Sequence, residues 1–304
     1  MAEGLKVIDD AAGERFAAYR ADCVEFAAGL PDASVDFSVY SPPFSNLYIY
    51  SDSVRDMGNC ADDAEFLAQY GYLLRELHRI TKPGRLSAVH CSDLPLQKWR
   101  DGVIGINDLS GEIVRAHLDA GWILHSRITV WKDPVVEMQR TKALGLLHKQ
   151  LMKDSAMSRM GMPDYVIVFR RPGDNAVPIV HDRSALPVEL WQRWASPVWM
   201  DIVQTNVLNA RVARADQDEK HLAPLQLDLI HRAIVLWSNP GETVFSPFMG
   251  IGSEGVGALR AGRRFIGTEL KENYFRQAVK YLRDAEATPD LFGKPGSQSV
   301  GIVR

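Results

Sequence analysis

Residues 242–269, "ETVFSPFMGIGSEGVGALRAGRRFIGTE", limit the fold of this chain more than any other stretch. An apolar run, "TVFS", meets Pro247 and then a glycine turn. The turn opens a helical segment, and a second apolar run, "RRFIGTE", ends on an acid. Two strands joined by one helix lie parallel in the same sheet, which places the chain among α/β proteins. Gly250 and Gly252 let the chain turn tightly and let a ligand come close to the backbone. Glu269, nineteen positions after Gly250, stands at the end of the next strand. Glycines beneath a ligand and an acid against ribose hydroxyls make a nucleotide-type cofactor site. The third glycine of a dinucleotide pattern is displaced, and no phosphate-loop lysine follows. An adenosine carrying a small group therefore fits better than a pyrophosphate, and S-adenosylmethionine has that chemistry.

The rest of the chain repeats the alternation. "VDFSVY" (35–40) reads as a buried strand. A polar, aromatic loop, "SNLYIYSDSVRDMGNC", follows it and has the composition of a mobile active-site loop. In "DDAEFLAQYGYLLRELHRI", Phe66, Tyr70, Leu73, Leu77 and Ile80 share one helical face. "LSAVHCSD" and "ILHSRITVW" are strands on either side of the helix "SGEIVRAHLDAGW". "HLAPLQLDLIHRAIVLWS" is an amphipathic helix with Leu227, Ile230 and Ile234 inward, and "KENYFRQAVKYLRDAE" closes the pattern as a helix. Between them the alternation lapses. Residues 135–215 read as an insertion that contains one strand, "DYVIVFR", and three tryptophans, Trp191, Trp194 and Trp199, placed in its core rather than on a surface. Residues 286–304 read as a loose tail.

Composition narrows the function. The net charge of −3 over 304 residues provides no global field for a polyanion, so any such attraction must be local. Arg140 to Arg159 supplies one. Arg140, Lys142, Lys149, Lys153 and Arg159 face one aspartate, a local charge of +4 in a negative chain. A solvated helix face explains the same run. Cys23, Cys60 and Cys91 are sparse and odd in number, which suits a reducing compartment and no disulfide framework. There is no zinc spacing, so no metal is expected. The N-terminus lacks an apolar signal core and no run reaches membrane-spanning length, giving a cytoplasmic expectation.

A second motif lies early in the chain. "SVYSPPF" ends the 35–40 strand in two prolines, with a hydroxyl before them and a ring after them. "SPPF" ending one strand and "FMGIG" ending another resemble the DNA amino-methyltransferases, which methylate the exocyclic nitrogen of cytosine or adenine. The catalytic motif comes first and the cofactor motif late, similar to the family's beta arrangement. "ADCVEFAAGLPDASVDFSVYSPPF" and "EKHLAPLQLDLIHRAI" resemble further segments of the group.

The resemblance implies a Rossmann-like S-adenosylmethionine-dependent methyltransferase fold with circularly permuted motif order. Residues 1–134 would form the catalytic half, 135–215 an inserted target-recognition region, 216–285 the cofactor half and 286–304 the tail. It implies that the target base is flipped out of the DNA. Ser41 Oγ and the Pro42 carbonyl would accept from the amine, Pro43 would fix the corner, and Phe44 would stack on the base. Phe248, Gly250 and Gly252 would line the methionine end of the cofactor and Glu269 its ribose. Asp22 would lie near the adenine amino group, or act only as a helix N-cap. His221 would lie near the cofactor carboxylate, or serve as a cap.

Ser246 stands where the family usually has Asp. His90 and Cys91 end a strand beside the site and read as packing. Serine before Pro-Pro resembles the cytosine N4 enzymes more than the adenine N6 enzymes. RNA or protein-amide methylation and a non-catalytic DNA-binding module are the alternatives. DNA is the expected partner, and a homodimer is expected because dimerisation is common in the group.

Overall fold

The computed structural model describes residues 7–43, 57–60, 62–96, 98–141, 146–209 and 224–288. Its strands are β1 (Asp9–Ala12), β2 (Phe16–Arg20), β3 (Val35–Tyr40), β4 (Thr81–Ser92), β5 (Leu94–Leu96), β6 (Gly105–Asn107), β7 (Ile123–Val130), β8 (Asp164–Arg170), β9 (Val198–Trp199), β10 (Thr243–Ser246) and β11 (Arg264–Glu269). Its α-helices are α1 (Cys23–Ala28), α2 (Asp63–Ile80), α3 (Lys98–Asp101), α4 (Leu109–Asp119), α5 (Pro134–Thr141), α6 (His148–Lys153), α7 (Val188–Trp194), α8 (Leu227–Trp237), α9 (Ser253–Arg260) and α10 (Glu272–Ala287). Nine strands form one sheet in the order β1-β2-β11-β10-β3-β4-β8-β7-β9. From β2 to β4 every neighbouring pair is parallel, and β8 returns antiparallel between β4 and β7.

Alternation along the strands divides the core. Phe37, Val39, Leu86, Ala88, Val166, Val168 and Val244 pack on one face with Leu229, Ile230 and Ile234 of α8 and with residues of α9 and α10. Val35, Tyr40, Val89, Cys91, Ile167 and Phe245 pack on the other face with α1, α2 and α4. The predicted face of α2 is fully buried there, from Phe66 to Ile80. Each of those side chains stabilises the layer by roughly 1.5–3 kcal/mol. The helix starts at Asp62, whose carboxylate accepts from the Glu65 amide at 2.9 Å. Leu227 is only half-buried at the edge of its layer.

Two expectations change. The 135–215 stretch does not lie wholly outside the sheet, because β8 sits between β4 and β7, bonded to β4 along its length, and β9 is the sheet's last strand. What leaves the sheet is an excursion from β7 to β8 and another from β8 to β9. Of the tryptophans, Trp199 is buried, Trp194 packs between Arg232 and His231, and Trp191 is 52% exposed. Residues 45–56 of the proposed active-site loop and the 286–304 tail beyond Thr288 lie outside the described residues, and the loop ends in a 3-10 turn at Met57–Asn59. No helix among the described residues is long and apolar enough to cross a membrane.

Candidate active site

The sheet has one point where its winding reverses. The strand after β3 lies on one side and the strand after β10 on the other. In open α/β sheets ligands bind in the crevice at such a point, beyond the carboxyl ends of the strands. Pairing between β3 and β10 ends at Phe245 and Ser38, although β3 runs on to Tyr40. The two sequence motifs begin where the strands part.

On the β10 side the turn is held from several directions. Thr268 Oγ1 donates to the Pro247 carbonyl at 2.7 Å, and the Met249 amide donates to the Thr268 carbonyl at 2.9 Å. Glu269, at the end of β11, accepts from the Gly250 amide at 3.0 Å through one oxygen and from the Lys271 amide at 2.8 Å through the other. Gly250 has φ +52° and Gly252, which caps α9, has φ +91°. The two glycines differ in surroundings. A Cβ on Gly252 would lie 3.2 Å from Ala278 of α10, whereas a Cβ on Gly250 would meet no atom of the described residues within 4 Å. Gly252 allows two helices to approach, and Gly250 leaves backbone open to the crevice.

Further groups converge on the same edge. Ser246 Oγ is buried with no hydrogen-bond partner among the described residues. Asp22 caps α1, accepting from the Val24 and Glu25 amides at 3.0 and 2.9 Å, both through Oδ1. Oδ2 has no hydrogen bond among the described residues, so the capping and cofactor readings are compatible. An open glycine backbone, two carboxylates at neighbouring strand ends and an unpaired buried hydroxyl fit an adenosine-type cofactor. Behind the turn, burial and the nearby Glu269 push the Glu254 carboxyl up to about 8.

On the β3 side, Ser41 and the buried Pro42 follow Tyr40. The Tyr40 ring lies 5.9 Å from the Phe248 ring, so the two motifs share an aromatic floor. Tyr40 Oη bonds Tyr70 Oη at 3.0 Å beneath it. Ser41 is not isolated. His90 Nδ1 of β4 lies 3.3 Å from Ser41 Oγ. The other ring nitrogen, Nε2, lies 3.3 Å from Asp164 Oδ2 of β8, without hydrogen-bond alignment. Lys132, just after β7, pairs with the second oxygen of Asp164. Burial opposes the charge on Asp164, but the His90 ring and the Lys132 ammonium outweigh it and hold the carboxyl well below the usual range.

His90 is therefore more than packing, in contrast to the sequence expectation. Asp164 and Lys132 were not anticipated, because the contact joins residues far apart in sequence and depends on β8 pairing with β4. Cys91 points to the opposite core layer and is buried, which raises its thiol, as packing predicts.

The remaining candidates divide. Lys149 and Lys153 are exposed on α6, in the excursion that leaves β7 and re-enters at Asp164 beside the site. Arg159 is 10% exposed, pairs with the buried Glu137 at 3.1 Å and donates to the Met160 carbonyl at 2.9 Å. These contacts hold its guanidinium against α5. Phe44, His221 and Lys142 lie outside the described residues, as does the side chain of Arg140.

Comparison with known proteins agrees with this geometry. The profile of the DNA methylase family, N6/N4 type, matches residues 35–280. The type II methyltransferase M.MthZI of Methanothermobacter thermautotrophicus is 24% identical over 263 residues, covering 81% of this chain and 70% of that protein. A DNA modification methylase of Thermus thermophilus, TTHA0409, solved with S-adenosyl-L-methionine, superposes with a TM-score of 0.64 at 22% identity, over 88% of this chain and 94% of the other. PvuII DNA methyltransferase (cytosine-N4-specific) superposes with a TM-score of 0.63 at 16% identity, over 90% and 92% of the two chains. A family match that spans both motifs, on a fold that brings them to one crevice, places this chain in the DNA methylase family as an S-adenosylmethionine-dependent DNA amino-methyltransferase.

Proposed function

We propose that this enzyme methylates the N4 amino group of cytosine in DNA, acting on a base flipped into the crevice between β3 and β10. The observation that carries the reading is Ser41, a hydroxyl at the rigid end of β3, set across the Tyr40–Phe248 floor from the glycine turn. S-adenosylmethionine supplies a methyl group on a positively charged sulfur. Glu269 and Asp22 would hold its adenosine, and Phe248, Gly250 and Gly252 would line the methionine end. His221 would reach its carboxylate.

The protein's task is then to turn an exocyclic amine into a nucleophile. The amine lone pair is delocalised into the base. Acceptors against its two hydrogens, Ser41 Oγ and the Pro42 carbonyl, favour a tetrahedral nitrogen and free that pair for in-line attack. Phe44 would stack on the base and hold it in plane. Positioning and electrostatics provide the rate.

Lys149 and Lys153 would meet phosphates beside the target. Replacing both by alanine should weaken DNA binding uniformly across sequences and reduce the slope of log K against log salt by about 2. The deciding experiment is mass spectrometry of nucleosides from DNA treated with enzyme and cofactor. N4-methylcytosine is expected. N6-methyladenine alone would overturn the choice of base and leave the crevice assignment standing.

A further inference from the structure

Ser41 raises a question that its motif does not answer. A neutral hydroxyl donates as readily as it accepts, and a serine that donated toward the target amine would oppose the attack. Something must engage its proton. The surrounding groups are those described above: His90 Nδ1 at 3.3 Å, Asp164 beside Nε2, and Lys132 on the far oxygen of Asp164. All four residues come from adjacent places in the sheet, at the ends of β3, β4 and β7 and the start of β8. The side chain of His90 is 10% exposed and that of Asp164 5%, so water does not level the interaction.

We propose that His90, braced by Asp164 and Lys132, is a positioning residue that fixes Ser41 as an acceptor and takes the amine's proton through it. The physical steps are these. Lys132 keeps Asp164 ionised. An anion beside Nε2 favours hydrogen on that nitrogen and leaves the lone pair on Nδ1. The Ser41 proton then points at Nδ1, and both Ser41 lone pairs face the crevice. When the carbon–nitrogen bond to the methyl group forms and the carbon–sulfur bond breaks, the positive charge passes to the amine nitrogen. That nitrogen must next lose a proton. Its N–H bond breaks toward Ser41 Oγ as the Ser41 O–H bond breaks toward His90 Nδ1. The electron pair stays on the methylated nitrogen, and the imidazolium formed is stabilised by Asp164. The same three groups activate a serine nucleophile in acyl-transfer enzymes. Here the amine attacks and the serine only conducts.

The proposal rests on Ser41 lying against the target amine, and not on which base carries that amine. The first test needs no turnover. Nitrogen NMR of the 15N-histidine-labelled enzyme should show His90 protonated at Nε2 with a bare Nδ1, and this preference should weaken in Asp164→Asn. A proton on Nδ1 would overturn the proposal.

The second test is single-turnover methyl transfer against pH, with cofactor affinity measured separately by calorimetry. His90→Ala and His90→Gln should slow transfer roughly a hundredfold or more. Both should leave cofactor affinity within about twofold and lose the rising limb of the wild-type profile. Asp164→Asn should move that limb to lower pH, since removing the anion disfavours the imidazolium. Asp164 of β8 lies against His90, Lys132 after β7 pairs with Asp164, and Arg127 of β7 lies over Tyr165. If Ser41→Ala is slow while both His90 variants transfer at the wild-type rate with an unchanged profile, the relay is wrong and the site assignment stands. If Ser41→Ala itself is fully active, the site assignment is wrong.

Discussion

The two ends of the parallel sheet are built on opposite principles. At the amino end, charges answer one another inside the protein. Asp36 of β3 accepts from Lys82 at 2.5 Å, from the Thr243 amide at 3.0 Å and from Arg85 at 3.5 Å. Arg85, 1% exposed, also pairs with Glu242, whose carboxylate accepts from Asn239. Nearby, Arg79 donates to the carbonyls of Ala27, Ala28 and Leu30 at the end of α1. At the carboxyl end, polar groups are aimed away from their own fold. Among the described residues, Ser246 Oγ has no partner, Gly250 faces open space, and Ser41 Oγ is bonded to His90. Among the described residues buried atoms without a partner occur at both ends, Arg85 Nη1 and Thr81 Oγ1 as well as Ser246 Oγ, so it is the open space at Gly250 beside the motif residues that marks the carboxyl end for a ligand.

The sharpest way to break this comparison is to exchange the expected effects. Ser41→Ala should lower methyl transfer by roughly 10²-fold or more, with a stability change within about 0.5 kcal/mol. Stopped single-turnover assays and urea unfolding would show both. Asp36→Ala should do the reverse. It strands the buried Arg85 with a single partner, and breaking such a pair costs about 3–5 kcal/mol. Transfer per folded molecule should remain at the wild-type level. A large loss of transfer by the folded Asp36 variant would mean that the two ends are coupled.

Glu254 is the exception that sharpens the contrast, because it stores strain at the carboxyl end. Its folded carboxyl titrates at about 8, against an ordinary 4.5. Between those values the folded protein binds a proton that the unfolded chain has released. Stability therefore falls as pH rises through that window, by up to about 1.4 kcal/mol per unit. Glu254→Gln removes the dependence. The variant should match wild type near pH 4 and exceed it by roughly 4 kcal/mol at pH 8 in urea titrations. Equal stability at both pH values would place the ionised carboxylate in a better solvated setting than its burial indicates.

How far these features could be read beforehand follows from how local they are. The buried face of α2 and the β10–turn–α9–β11 unit repeat at helical and strand periods within one stretch, so periodicity finds them. β1 and β2 escape because "DDAA" and "FAAYR" carry little apolar signal. β8 was legible as a strand, but its place beside β4 was not, because pairing across such a separation leaves no mark in either segment. The site divides the same way. Ser41, Gly250 and Glu269 stand in contiguous motifs. His90, Asp164 and Lys132 meet only through the β4–β8–β7 pairing, and Arg159 looked like a free cation until Glu137 was placed beside it.

The smallest expected effect compares the two ends within one turn. Gly250→Ala and Gly252→Ala each place a side chain in the left-handed region, which costs roughly 1–2 kcal/mol for an L-residue. The backbone term is shared, so any difference between the variants reports what each Cβ meets. At Gly252 that is Ala278, 3.2 Å away in α10, and the helices must part by a few tenths of an ångström. At Gly250 it is the open crevice. Gly252→Ala should therefore lose more stability, and Gly250→Ala should lose more S-adenosylmethionine affinity, both measured on the folded variants by calorimetry. Equal affinity losses would mean that the cofactor presses on both glycines alike. An affinity loss confined to Gly252→Ala would place the cofactor against α9 rather than over the open backbone.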